Sequence, residues 1–115
     1  MKIGIIIIFH NNEKDIDTNI FVQQLNQVKN IEFCLVNNAS KDNTYTLLND
    51  INEACANVSL VNINTFKSDV SAVRAGARYM FNKFNLKHIG YVTTNLLITK
   101  YDGLNGLIKA ISQNQ

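Results

Sequence analysis

At four places in this 115-residue chain an apolar stretch gives way to a short run of amide, hydroxyl and other polar side chains. The runs are His10-Asn11-Asn12-Glu13, Asn37-Asn38-Ala39-Ser40, Asn64-Thr65-Phe66-Lys67 and Thr93-Thr94-Asn95. Amides and hydroxyls donate and accept hydrogen bonds and suit a nucleobase or a ribose. They hold a hard divalent cation weakly, because Mg²⁺ and Mn²⁺ prefer carboxylate oxygens. The same residue types also build ordinary loops and helix caps, so residue type alone favours that plainer role at most of these positions. Nucleophilic catalysis finds little support. His10 and His88 are the only histidines, and His88 opens a strand, at the end opposite the polar runs. Cys34 and Cys55 belong to no Cys-x-x-Cys pair or His/Cys cluster and read as buried, reduced thiols. No glycine-rich loop follows the first apolar run, which sets aside both the P-loop and the dinucleotide fingerprint.

The elements that must carry these runs follow from hydrophobic periodicity. Ile3 to Phe9 is continuously apolar, as in a strand covered on both faces. Ile16, Ile20, Phe21, Leu25 and Val28 recur at helical spacing. Ile31 to Val36 reads as a second strand ending at Asn37, with Ser40 as N-cap and Asp42 in the first turn of the helix that follows. That helix shows an apolar stripe of Thr44, Leu47, Leu48, Ile51 and Cys55. Val58 to Ile63 is a third strand, and Ser68 or Asp69 caps a third helix with the stripe Val70, Val73, Ala77, Phe81 and Phe84. His88 to Val92 is a fourth strand, and Leu104, Leu107, Ile108 and Ile111 mark a closing helix. The alternation β-α-β-α-β-α-β-α predicts an α/β fold, an open and mainly parallel sheet with helices on both faces and right-handed crossovers. In such sheets ligands bind outside the carboxyl ends of the strands, where the four polar runs fall.

Composition bounds the rest. With 46% hydrophobic and 17% charged residues, the chain reads as one globular domain over residues 1–115. A net charge of +2 is too small to argue for nucleic acid as a partner. The apolar start lacks a small-residue cleavage site and stops at His10, so it reads as a strand rather than a signal peptide. No run approaches the ~20 apolar residues of a membrane span. The expected location is cytoplasmic.

Four segments, in order, resemble family 2 glycosyltransferases. Phe9-His10-Asn11-Asn12-Glu13 is similar to their Pro-x-Tyr-Asn-x-Glu opening. Val36-Asn37-Asn38-Ala39-Ser40-Lys41-Asp42-Asn43-Thr44 resembles Val-Asp-Asp/Asn-Gly/Ala-Ser-x-Asp-x-Thr. Lys67 to Gly76 resembles Asn-x-Gly-x-Ala/Ser-x-Ala-Arg-Asn-x-Gly, and Thr93-Thr94-Asn95 falls where the family has Asp-x-Asp. The resemblance covers roughly the first 100 residues. It implies a Rossmann-like nucleotide-diphospho-sugar transferase half-domain with strand order 3-2-1-4. It further implies a nucleoside-diphosphate sugar at the rim of the sheet, its base surrounded by Phe9, His10, Asn12, Asn37 and Asn38 and its phosphates near Arg74, with Lys67 and Arg78 as weaker candidates.

The departures are as informative. The family's metal carboxylates are replaced by Thr93 and Asn95, so no metal or other cofactor is expected, and Asn37 replaces the acid that faces the base. The chain stops before the segment that supplies the family's acceptor site and catalytic base. The expectation is therefore sugar-nucleotide binding with lost or reduced transfer. The alternative is a non-catalytic scaffold that keeps only the fold. With order 3-2-1-4 the fourth strand is an edge, and pairing of His88 to Val92 with a second copy would give a two-fold dimer. Asp102 reads as a cap of the last helix. A phospho-receiver domain is rejected, since Asn11-Asn12 and Asn62-Ile63-Asn64 stand where its acids would be.

Overall fold

A computed structural model describes residues 2–113. The strands are β1 (Lys2–Phe9), β2 (Ile31–Asn38), β3 (Val58–Ile63) and β4 (Leu86–Thr93). The helices are α1 (Thr18–Asn26), α2 (Thr44–Ala54), α3 (Asp69–Lys83), α4 (Thr94–Tyr101) and α5 (Leu104–Gln113), with a 3₁₀ turn at Glu13–Asp15. The four strands form one parallel sheet in the order β3-β2-β1-β4, the Rossmann-like arrangement expected. None of the described helices is long and apolar enough to cross a membrane.

The two central strands explain the architecture. β1 and β2 are buried almost end to end, and their alternate residues feed two cores. Ile5, Ile7, Phe9, Phe33 and Leu35 face a large core shared with Phe21, Leu25, Leu48, Ile51, Leu97, Leu104 and Leu107. Ile6, Ile8, Cys34 and Val36 face a smaller one with Ala72 and Met80 of α3. Among the described residues four helices thus cover one face, and α3 covers the other.

α3 can do this because its inner side is small. Ala72 and Gly76 are buried against the sheet, and a Cβ added at Gly76 would lie 3.1 Å from both Ile6 Cγ2 and Val36 Cγ2. The stripe expected from the large apolar residues is therefore rotated. Val70 and Phe81 point outward, 63% and 66% exposed, while Ala72, Gly76 and Met80 point in.

Three further differences from the sequence reading matter. A separate helix, α4, precedes the closing one, nucleated by Thr93, whose hydroxyl accepts a hydrogen bond from the amide of Leu96. Asp102 ends α4 as a left-handed C-cap rather than starting α5. Asn43, not Ser40, precedes the first turn of α2 and makes no side-chain cap, while Ser40 Oγ accepts from the amide of Asn11. At α1 the cap is Asp17, which accepts from the amide of Ile20, and Ile20 itself is exposed.

Candidate functional site

The loops after β1 and β2 are sewn together by their own polar side chains. The amide of Asn11 donates to Ser40 Oγ at 3.0 Å, and Asn11 Oδ1 accepts from the amide of Lys41 at 2.7 Å. The amide of Asn12 donates to Thr44 Oγ1 at 2.8 Å, and the amide of Glu13 donates to Asp42 Oδ2. Glu13 returns the contact by accepting from the amide of Asn43. Asn11 and Ala39 both take left-handed backbone, with φ of 52° and 54°, and for Ala39 that conformation is strained. Slight burial pulls the Asp42 carboxyl upward. Hydrogen bonds from the hydroxyl and amide of Thr44 and the amide of Glu13 outweigh it and hold the group below its ordinary range.

Two clefts open on the rim that these loops build. The first, of about 700 Å³, is lined by residues from the ends of β1, β2 and β3, among them His10, Asn37, Lys41, Tyr45, Asn62 and Phe66. The second, of about 230 Å³, lies at the switch point between β1 and β4 and is lined by His10, Asn12, Asn38, Asp69, Thr93 and Asn95. His10 stands between them, edge-on to Phe66 with ring centroids 4.7 Å apart. Its Nδ1 lies 2.6 Å from the carbonyl of Asn38 and its Nε2 lies 3.2 Å from Asn11 Nδ2. These partners assign the hydrogen to Nδ1 and leave Nε2 as the acceptor.

Asn37 is the distinctive residue of the first cleft. It is 3% exposed, and its Nδ2 donates to Asn62 Oδ1 at 2.8 Å. Its Oδ1 is buried and has no hydrogen-bond partner among the described residues. A buried acceptor left unpaired is costly unless water or a ligand satisfies it. Asn62 in turn donates to Asn64 Oδ1, so a file of three amides runs along the floor and edge of the cleft. Tyr45 and Phe66 add rings 42% and 59% exposed, and Lys41 adds a cation.

The residues singled out from the sequence divide into distinct groups. His10, Asn37 and, across the switch point, Thr93 and Asn95 line the clefts. Phe9 sends its ring into the core against Phe21 and brings only backbone to the rim. Asn12 and Asn38 line the second cleft, but their amides are occupied. Asn12 Oδ1 accepts from the amide of His10 and its Nδ2 donates to Asp15. Asn38 clamps Lys67 through both the amide and the carbonyl of that residue. Arg74 lies on the outer side of α3, as does Arg78, and lines neither cleft. Lys41, Tyr45 and Asn62 were not expected. Asn62 carried a readable signal, an amide interrupting an apolar strand, whereas Tyr45 stood in the first turn of a helix with nothing to mark it.

The donor set of the second cleft does not fit a Mg²⁺ or Mn²⁺ centre. Thr93 Oγ1 already accepts from α4, Asn95 is an amide, and Asp69 is the one carboxylate in the lining. Among the described residues no three His, Cys, Asp or Glu side chains come together as a metal-holding group. Comparison with protein-family models and with curated proteins found no match to this chain.

Proposed function

We propose that this chain binds a nucleoside-diphosphate sugar at the rim of its sheet, with the base in the first cleft, the diphosphate sugar reaching the second, and glycosyl transfer lost or reduced. The observation that carries the reading is a cleft that joins Asn37, whose buried Oδ1 has no partner among the described residues, to the exposed rings of Tyr45 and Phe66. A volume of about 700 Å³ accommodates a nucleoside, and exposed rings suit stacking on a base. One Nδ2 hydrogen of Asn37 goes to Asn62, and its Oδ1 is an acceptor with no partner among the described residues. Uracil, thymine and guanine carry an imide or amide N–H that can donate to it. Cytosine and adenine carry exocyclic amino hydrogens that can donate as well, so this acceptor suits a nucleobase without selecting one. Lys41 supplies a cation at the same cleft for the phosphates. The resemblance of four ordered segments to family 2 glycosyltransferases supports the sugar-nucleotide class. Replacement of the family's metal carboxylates by Thr93 and Asn95 supports weakened transfer.

Calorimetric titration with uridine, guanosine, thymidine, cytidine and adenosine diphosphates tests this. The expected result is saturable binding of at least one of the five, with little change on adding Mn²⁺. No heat from any of them at millimolar ligand would overturn it.

A second reading is favoured by one observation: β4 is an edge strand with Tyr91 exposed. Under it, the domain is a scaffold that pairs His88 to Val92 with a second copy. A sedimentation mass of two chains supports that reading, and a mass of one chain at tens of micromolar refutes it.

A further inference from the structure

We propose that the outward face of α3 docks on an anionic lipid bilayer. Along this helix Val70, Arg74, Arg78 and Phe81 are spaced four, four and three residues apart, which places all four on one stripe about 16 Å long. The stripe is opposite the buried Ala72, Gly76 and Met80, and all four side chains are exposed. Two guanidinium groups therefore stand one turn apart, flanked at each end by an apolar side chain in water.

Neither arginine has a carboxylate partner, since the ion pair among the described residues is Lys2–Glu32. Like charges one turn apart repel, and nothing within the described chain offsets this. The surrounding segment is equally one-sided. Residues 67–87 hold five of the chain's eleven cations, Lys67, Arg74, Arg78, Lys83 and Lys87, against one of its nine carboxylates, Asp69. Tyr91 extends the apolar component, because its register with Ile6 brings its ring out on the α3 side of the sheet. Exposed acids such as Asp17, Asp50 and Glu53 belong to α1, α2 and their caps on the opposite face. The molecule's charge is thus polarised across the sheet, and a negative surface would turn α3 towards itself.

Shape selects the occupant. The stripe runs along the ridge of a helix, and none of its four residues lines either rim cleft. A peptide or small ligand needs concavity. A bilayer does not: headgroup phosphates take the arginines, and Val70 and Phe81 enter the interface beside them. Exposed Val and Phe ends have no counterpart on a nucleic-acid backbone. The proposal uses no feature of the rim clefts and stands or falls separately from the reading of that site.

The test is co-sedimentation of the whole chain with vesicles of phosphatidylcholine, with and without phosphatidylserine. The expected result is binding that requires phosphatidylserine and is lost in about 0.5 M salt, where screening shortens the Debye length to a few ångström. Arg74→Gln with Arg78→Gln should lower the partition coefficient about thirtyfold, from roughly fivefold per arginine. Phe81→Ser should lower it about tenfold through lost apolar insertion. All three positions are solvent-exposed, and an unchanged circular dichroism spectrum confirms that the variants fold. Absence of binding to the anionic vesicles, equal binding to neutral ones, unchanged binding of the double arginine variant, or tighter binding to a duplex oligonucleotide would each overturn the proposal.

Discussion

Asn37 gives an amide hydrogen to Asn62 and leaves its oxygen without a partner among the described residues, a combination that separates binding from stability. Leucine at this position has the same branched skeleton, with bulkier methyl groups, and removes the unsatisfied acceptor. The amide it deprives, Asn62, is exposed and can turn to water. Asn37→Leu should therefore leave the melting temperature unchanged or raised, while uridine diphosphate affinity falls about tenfold or more. A calorimetric titration paired with a thermal melt reads both effects. A fall in stability with affinity intact would show that the amide serves the fold alone. Cys34 makes a different prediction. Burial pushes its thiol up to about 12 from an ordinary value near 9, so the folded state keeps a proton that the unfolded state gives up. Its contribution is complete below pH 9 and is lost as pH rises towards 12, at about 1.4 kcal/mol per pH unit. Denaturant titrations on either side of pH 9 would show the midpoint falling, and Cys34→Ala should flatten that slope.

At the level of the elements, Gly76 sets how close α3 comes to the sheet. Alanine there gains helix propensity of about 1 kcal/mol, but its Cβ would press on Ile6 and Val36. Both belong to central strands packed on two faces and have nowhere to move. Gly76→Ala should destabilise by roughly 1–3 kcal/mol, as overpacking does, measurable by urea denaturation. A stabilised variant would mean that α3 rides higher on the sheet than described. The same glycine explains where sequence reading succeeded and failed. The parallel sheet was legible because apolar runs such as Ile3 to Phe9 fit only strands covered on both faces, whereas the strand order came from the family resemblance. The face of α3 was misread because close packing is achieved by Ala72 and Gly76, which carry little hydrophobic signal, while Val70 and Phe81 carry much and lie outside. Separating α4 from α5 required the left-handed turn at Asp102-Gly103, which local spacing did not reveal. In the rim loops the chain's amides looked alike in sequence. Only the fold distinguishes Asn12 and Asn38, which tie the loops, from Asn37, which retains a free acceptor.

Taken whole, the molecule sets its chemistry and its charge on different sides. Both rim clefts lie at the carboxyl ends of the strands, joined through His10 and Phe66, and most polar groups around them hold the scaffold in place. Ligand binding there should add stability by mass action, about 2.7 kcal/mol at a hundredfold excess over Kd. The most direct measurement of the central claim is two-dimensional NMR of the side-chain amides during titration with uridine diphosphate and, separately, inorganic diphosphate. With the uridine ligand, the Asn37 and Asn62 side-chain amide signals and the backbone signals of Tyr45 and Phe66 should shift together in a saturable way. Inorganic diphosphate, which has no base, should move them little. Shifts of equal size with both ligands, or uridine-induced shifts confined to residues remote from Asn37, would contradict the account.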